Sequence, residues 1–219
     1  MAAEKREAAR MNTTVDSGVP KFDPQTFGSE HSIARLGAGS VGGKAVGLQQ
    51  IQNEILPRFE GGRFDGVTVG VPRAVVIATE VFCEFMDRNG LWKILEEEEL
   101  PDSQIAREFQ RAELTERLRE QLRGVLAVMR NPLAIRPSSY LEDTHQRALA
   151  GIYTSKMIPN TESDDRARYR RLAGALKLAW ASTFFGSAVV SRRAAGLADD
   201  AEKMAVVIQE VTGARHDGR

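Results

Sequence analysis

"LAIRPSSYLEDTHQRALAGIYTS" occupies residues 133–155. It opens on a short apolar run, Leu133-Ala134-Ile135, and then sets Arg136 beside Pro137, Ser138 and Ser139. An acidic pair follows, Glu142 and Asp143, and the stretch closes on Ala148-Leu149-Ala150-Gly151. The opening reads as a short buried strand over 133–136, and Pro137 disfavours helix at the residue before it. An arginine at the end of a buried strand needs a negative partner. A salt bridge to Glu142 or Asp143 would supply one. A phosphate gripped by the guanidinium, with the acidic pair steadying it, is the other reading. Local chemistry leaves the two level.

Downstream, "LAGIYTSKMI" (149–158) reads as a strand ending in a Pro159-Asn160 turn. "DDRARYRRLAGALKLAWASTFF" (164–185) reads as a long helix with a core stripe of Tyr169, Leu172, Leu176, Trp180 and Phe184. Gly186 ends or bends it, "SAVVSRRAAG" continues helically, and "KMAVVIQEV" (203–211) is a β-branched strand. Upstream, residues 102–130 read as helical from an Asp102 cap, with Leu118, Leu122, Val125, Leu126 and Met129 on one side. "VTVGVPRAVVIAT" (67–79) reads as two short strands around Pro72. Thr79 is placed to cap the helix "EVFCEFMDR", which Asn89-Gly90 ends. "EEEE" at 96–99 reads as a solvated face or loop, with metal binding the minor reading. Helices and strands mix without regular βαβ alternation, which gives the α+β class.

A second stretch carries chemistry. "LGAGSVGGKAVGLQQIQNEIL" (36–56) runs a glycine loop into a helix, with Lys44 at the junction and Val46, Leu48, Ile51, Ile55 and Leu56 as an apolar face. Freed backbone N–H groups, a helix N-terminus and a lysine together favour a polyphosphate. The P-loop pattern itself fails, because Ala38 stands at its first glycine and Ala45 at its hydroxyl. Phosphate binding and a plain flexible turn both remain open at this point.

The whole composition narrows the classes. Lys plus Arg and Asp plus Glu are 30 each, a balance that lacks the basic footprint of a nucleic-acid or anionic-membrane binder. Cys83 is the single cysteine, which excludes an internal disulfide and fits a reducing compartment. No apolar run approaches the length of a membrane span, and the N-terminus has no secretory h-region. A cytoplasmic protein is expected. His31, His145 and His216 show no metal spacing with Cys83.

Four motifs in order, "LGAGSVGGKAVGL", "VPRAVVIATEVFCEFM", "AIRPSSYLEDTHQRALAGIYTS" and "MAVVIQEV", resemble the N-terminal nucleotide-binding domain of phosphoenolpyruvate synthase and pyruvate phosphate dikinase, which rifampicin phosphotransferases share. The resemblance covers about residues 32–213. It implies an ATP-grasp fold, a mixed sheet with packed helices, over 31–219; residues 1–30, polar with Pro20 and Pro24, read as a tail or arm before it. It further implies that the second ATP-grasp subdomain is missing from the chain. By resemblance, Lys44 and Arg136 contact ATP phosphates and are the catalytic candidates. Gly151 lies at the nucleotide, Ser155 keeps the hydroxyl of the family's usual threonine, and Gln209 lies near the base. Magnesium ligands are expected outside the chain, so none is assigned within it. Pro137 departs from the family's arginine-serine-serine motif and removes a backbone donor.

In such relatives a phosphoryl group passes from ATP to a histidine and then to pyruvate. The full-length parent is therefore expected to be an ATP-dependent kinase or dikinase, a phosphotransferase, and this chain alone is expected not to turn over. A non-catalytic regulatory nucleotide-binding module and a helical interaction domain are the alternatives. The phosphoryl acceptor and the oligomeric state are not legible in the sequence.

Overall fold

The computed structural model describes residues 18–59, 65–67, 69–95, 100–139, 151–194, 196 and 202–213. Within these, short stretches rich in apolar residues form strands Ile33–Leu36 (β1), Ala74–Ile77 (β2), Leu133–Ser138 (β3), Lys156–Ile158 (β4) and Ala205–Glu210 (β5). They make one mixed sheet in the order β1-β2-β5-β3-β4. β1 and β2 are parallel, and β5 runs antiparallel to both β2 and β3. Every residue of the central β5 is buried, as a strand with neighbours on both edges and layers on both faces requires.

The helices are Gly42–Gln50 (α1), Thr79–Arg88 (α2), Asp102–Arg111 (α3), Glu116–Val128 (α4), Asp165–Ala181 (α5) and Gly186–Ala194 (α6). Alternate strand residues sort them into two layers. Leu36, Val75, Ile77, Leu133, Ile135, Val206 and Ile208 face a large core with Phe82, Phe85, Phe109, Leu122, Leu172 and Trp180. Ile33, Ala74, Val76 and Val207 turn the other way and meet Val41 and Ala45. So α2 to α6 cover one face, and α1 alone of the named helices packs on the other. The α+β reading and the mixed sheet with packed helices hold.

The stripe expected on α5 forms its core. Trp180 is wholly buried, its ring 4.8 Å from Phe85 between centroids, and its Nε1 donates to the Met204 carbonyl at 3.2 Å. That bond ties α5 to the start of β5. Leu172 and Leu176 are equally buried, and Tyr169 packs at the margin. Gly186 opens α6, which is bent 43° from α5 and its extension to Phe184. Among the described residues no single helix is long and apolar enough to cross a membrane.

A polar knot closes the other end of α4. Asn160 adopts φ +55° at the expected turn, a conformation asparagine tolerates. Its Nδ2 donates to the carbonyls of Met129 (3.0 Å) and Asn131 (2.9 Å), and its Oδ1 accepts from Arg168 Nε at 3.0 Å. Arg168, 3% exposed, also donates to the Leu126 carbonyl at 2.8 Å and to Asp165 at 3.0 Å. Arg168→Met keeps the bulk but takes the guanidinium donors from the Leu126 carbonyl and from the Asn160 oxygen. The expected cost is about 3 kcal/mol, or roughly 6–12 °C in melting temperature for a chain of this size. A calorimetric scan showing a drop below about 2 °C would refute this role.

Several boundaries differ from the sequence expectation. The pair of strands around Pro72 is one strand: β1 offers only four partners, in register with Ala74–Ile77, and no strand is described just upstream of Ala74, although the Arg73 carbonyl still accepts from the Glu210 amide at 2.9 Å. Val67 and Val69 are accordingly 57% and 46% exposed. The expected helix over 102–130 breaks between α3 and α4. No glycine or proline marks the break; Ala112 and Leu114 bury themselves there, and Thr115 caps the restart by accepting from the Leu118 amide at 3.3 Å. Asp102 is the first helical residue of α3, not its cap, and its carboxylate accepts from the Gly186 amide at 2.8 Å. Thr79 likewise begins α2, after Ala78 as the cap residue. β4 is limited to three residues.

Within the expected N-terminal arm, residues 18–30 line β1. Arg35 donates its amide to the Pro20 carbonyl at 2.8 Å and its carbonyl accepts from Phe22 at 2.9 Å, with Val19 and Phe27 buried. Residues 1–17, the acidic run 96–99 and residues 140–150, with Glu142, Asp143 and His145, lie outside the described residues, as does His216.

Candidate functional site

The site begins where the glycine loop docks. Thr79 and Glu80, at the start of α2, hold its first half. Thr79 Oγ1 accepts from the Ser40 amide at 3.0 Å, and the Glu80 carboxylate accepts from the Ala38 amide at 2.9 Å. Backbone bonds return from Thr79 to the Ser40 carbonyl (3.0 Å) and from Glu80 to the Ala38 carbonyl (3.1 Å).

The second half is held by the end of β3. Ser138, wholly buried, donates Oγ to the Val41 carbonyl at 3.0 Å and accepts from the Ala45 amide at 3.4 Å. The Gly43 amide donates to the Ser139 carbonyl at 3.4 Å. Gly42 sits at φ +73°, and a Cβ there would fall 1.8 Å from the Ser138 carbonyl oxygen. The glycine loop and the arginine-proline-serine-serine segment are thus one unit, and glycine is what lets them approach. The amides of Ala38 and Ser40 are engaged by α2, and those of Gly42, Gly43 and Ala45 within the loop and by β3 and the residue after it. These amides therefore do not form an open cradle.

This docking sets Lys44 in the first turn of α1, beside the strand end that carries Arg136 two residues before Ser138. On the small-cluster face of the sheet, Arg136 pairs with Val207 and Ala134 with Gln209. Arg136 Nη1 donates to Gln209 Oε1 at 3.2 Å. β4 aligns Lys156 with Ile135, so the register carried one step further sets Ser155 opposite Arg136. Met157, aligned with Ala134, is 71% exposed, so this β3–β4 strip is open. On α1, Gln49 lies against Gly18, and past the helix Gln52 bonds Ser32, both beside β1. Leu48, one helical turn beyond Lys44, packs against the small core cluster.

Gly151 is exposed at φ +80°, and a Cβ on it would meet nothing within 4 Å. Ser155 is exposed as well. The structure therefore brings Lys44, Arg136, Ser155 and Gln209 to one side of the sheet. Pro137 pairs with Val206 of β5 and lies past the end of β4, a place where a strand tolerates proline. The missing donor noted in the sequence is thus accommodated.

The acidic pair lies outside the described residues, and among those described Arg136 is partnered by the Gln209 amide. No described group of three or more His, Cys, Asp or Glu side chains could hold a metal ion. Lys44, Arg136, Gly151, Ser155 and Gln209 include no carboxylate and do not make a magnesium site.

Sequence reasoning misjudged the buried face of α1. Gly42 and Ala45 face the sheet, while Val46, Ile51 and Ile55 are 38%, 38% and 56% exposed. Small residues bring the helix close, a signal that hydrophobic periodicity does not register. Ser138, Thr79 and Glu80 were also missed as loop anchors. A separate hollow of about 250 Å³ lies between α2 and the start of α4, lined by Glu80, Glu84, Thr115, Arg117 and Gln121, on the large-core side.

The family model of the pyruvate phosphate dikinase AMP/ATP-binding domain matches residues 38–218, most of the chain. No curated protein matches it.

Proposed function

The chain belongs to the family of the pyruvate phosphate dikinase AMP/ATP-binding domain, and from that premise we propose that ATP binds over the open β3–β4 strip, held by Lys44 and Arg136. It is a nucleotide-binding portion of a pyruvate phosphate dikinase-like protein. The observation that carries the site is Arg136. It is a half-buried guanidinium on an open strip, its described partner an uncharged amide, on the strand whose end adjoins the helix turn that carries Lys44. A strand-borne arginine matches phosphate oxygens through paired N–H donors, and a lysine adds a compact charge.

The other roles follow from position. Gln209, 8% exposed, offers an amide that pairs with the edge of a base once Arg136 turns to phosphate. Gly151 has open space on the side where a Cβ would stand, so nucleotide can approach its backbone. Ser155 supplies a hydroxyl next to Arg136. The chemistry these residues serve is phosphoryl transfer, whose transition state spreads negative charge over the transferring oxygens; fixed cations lower its energy. In the parent protein the phosphoryl group passes to a histidine and then to pyruvate, and the chain by itself binds ATP without turnover. A cytoplasmic setting fits the single cysteine.

The test is a calorimetric titration of ATP into the chain and into Lys44→Ala. Saturable binding that weakens about tenfold or more in the variant supports the site, since a hydrogen bond to a charged group contributes about 1.5–3 kcal/mol. Equal affinities in the two proteins would sink it.

A further inference from the structure

Between exposed Gly151 and Ser155, the chain turns inward. Tyr153 is 7% exposed, and its hydroxyl donates to Glu202 Oε2 at 3.1 Å. The next amide, Thr154, donates to Ser182 Oγ at 3.0 Å, and Ser182 Oγ donates to the Ala179 carbonyl at 2.7 Å. Arg192 on α6 is wholly buried and donates through Nη1 to the Thr183 carbonyl at 2.6 Å. Its Nε and Nη2 are buried without a partner among the described residues, as is Thr183 Oγ1.

This is a costly concentration of polar groups. Tyr153, Ser182, Thr183, Arg192 and Glu202 are all buried, and burying such groups is unfavourable unless their bonds are made. Apolar side chains would fill the space at lower cost. What the polar set adds is direction: a hydroxyl–carboxylate bond fixes Tyr153 in one orientation, and the Thr154 bond fixes the backbone beside it. Burial, then the Glu202 charge, push the Tyr153 phenol up to about 12, with Arg192 pulling against them. Tyr153 is therefore a protonated donor throughout the neutral range. Glu202 stands three residues before β5, the strand that carries Gln209. The segment that presents Gly151 and Ser155 is thus tied to the strand on which the Arg136 partner sits.

We propose that Tyr153, through its bond to Glu202 beside the buried Arg192, is a positioning residue that fixes the 151–155 segment for nucleotide binding. The proposal rests on the reading that Gly151 and Ser155 meet the nucleotide. It predicts that the segment's order and the affinity for ATP fall together when the bond is cut, while the sheet is unmoved.

The experiment compares the wild-type chain with Tyr153→Phe, Glu202→Gln, Glu202→Leu and Lys44→Ala by amide hydrogen exchange and ATP titration. Tyr153→Phe and Glu202→Leu are expected to speed exchange at residues 152–155 about tenfold and to weaken ATP about tenfold. Exchange in β3 and β5 stays at wild-type rates. Glu202→Gln keeps an acceptor for the phenol and retains both properties. If Tyr153→Phe leaves ATP affinity unchanged while Lys44→Ala abolishes it, the positioning role is wrong and the site stands. If Lys44→Ala binds as the wild type does, the site reading fails and the positioning role falls with it. Should Tyr153→Phe loosen β5 as well, Ser182→Ala decides, since it removes the Thr154 acceptor and a bond to the Ala179 carbonyl within its own helix end while leaving Tyr153 and Glu202 in place. A loss confined to 152–155 with weaker ATP binding supports the proposal, and wild-type behaviour overturns it.

Discussion

Gly42→Ala is expected to destabilise the protein by about 4 kcal/mol or more, a fall of roughly 8–16 °C in melting temperature. Two independent penalties meet at this position. Its φ of +73° is strained for any residue with a Cβ, and the added carbon would lie 1.8 Å from the Ser138 carbonyl oxygen. That oxygen is backbone, on a strand paired to β5 along its length, so it cannot simply swing aside. The junction must separate, and with it go the Ser138 bonds to Val41 and Ala45. Lys44 loses its placement, so ATP affinity falls even below the melting point. Gly47 in the same helix is the control: it has no left-handed φ, and a Cβ would meet nothing within 4 Å. Gly47→Ala is expected to stabilise by about 0.5–1 kcal/mol. A thermal scan placing Gly42→Ala within 3 °C of the wild type would disprove the docking described between loop and strand.

Arg136→Met is expected to weaken ATP binding by about 2–3 kcal/mol, roughly a 30–150-fold loss, with little change in stability. Within the described protein, the side chain's bond is to Gln209, and losing that neutral partner costs about 1 kcal/mol. The main effect must therefore appear in the presence of ligand. Arg136→Lys is expected to recover only part of the affinity, because an ammonium cannot reproduce the paired N–H donors of guanidinium. Binding curves that agree within twofold for wild type and Arg136→Met would place the phosphates elsewhere.

How far these residues speak for themselves varies with range. β3, β5 and the α5 stripe were legible because burial leaves a local mark: the apolar Leu133-Ala134-Ile135 in β3, a β-branched run in β5, and a helical period of Leu172, Leu176 and Trp180 in α5. Lys44 and Arg136 stood out as cations in unusual settings, by the glycines and at a strand end. The docking of loop on strand was not legible, since the bonds of Ser138 span 93 and 97 residues of sequence. Its glycines read equally well as a phosphate cradle or a turn, and the amides turn out to be engaged. The face of α1 misled for a related reason, because Gly42 and Ala45 pack by being small. The polar cluster under Tyr153 was invisible too, since Tyr153, Arg192 and Glu202 lie on separate segments with nothing in their spacing to link them.

The central claim is that ATP lies on the open strip between α1 and β4, and an ATP titration of the isotope-labelled chain followed by amide resonances tests it most directly. The account predicts saturable shifts grouped at Lys44, Arg136, Gly151, Ser155 and Gln209, with the large-core helices α3 to α5 unmoved. Saturable shifts grouped instead at Glu80, Glu84, Thr115 and Arg117, in the hollow between α2 and α4, or no saturable shift at all, would contradict it.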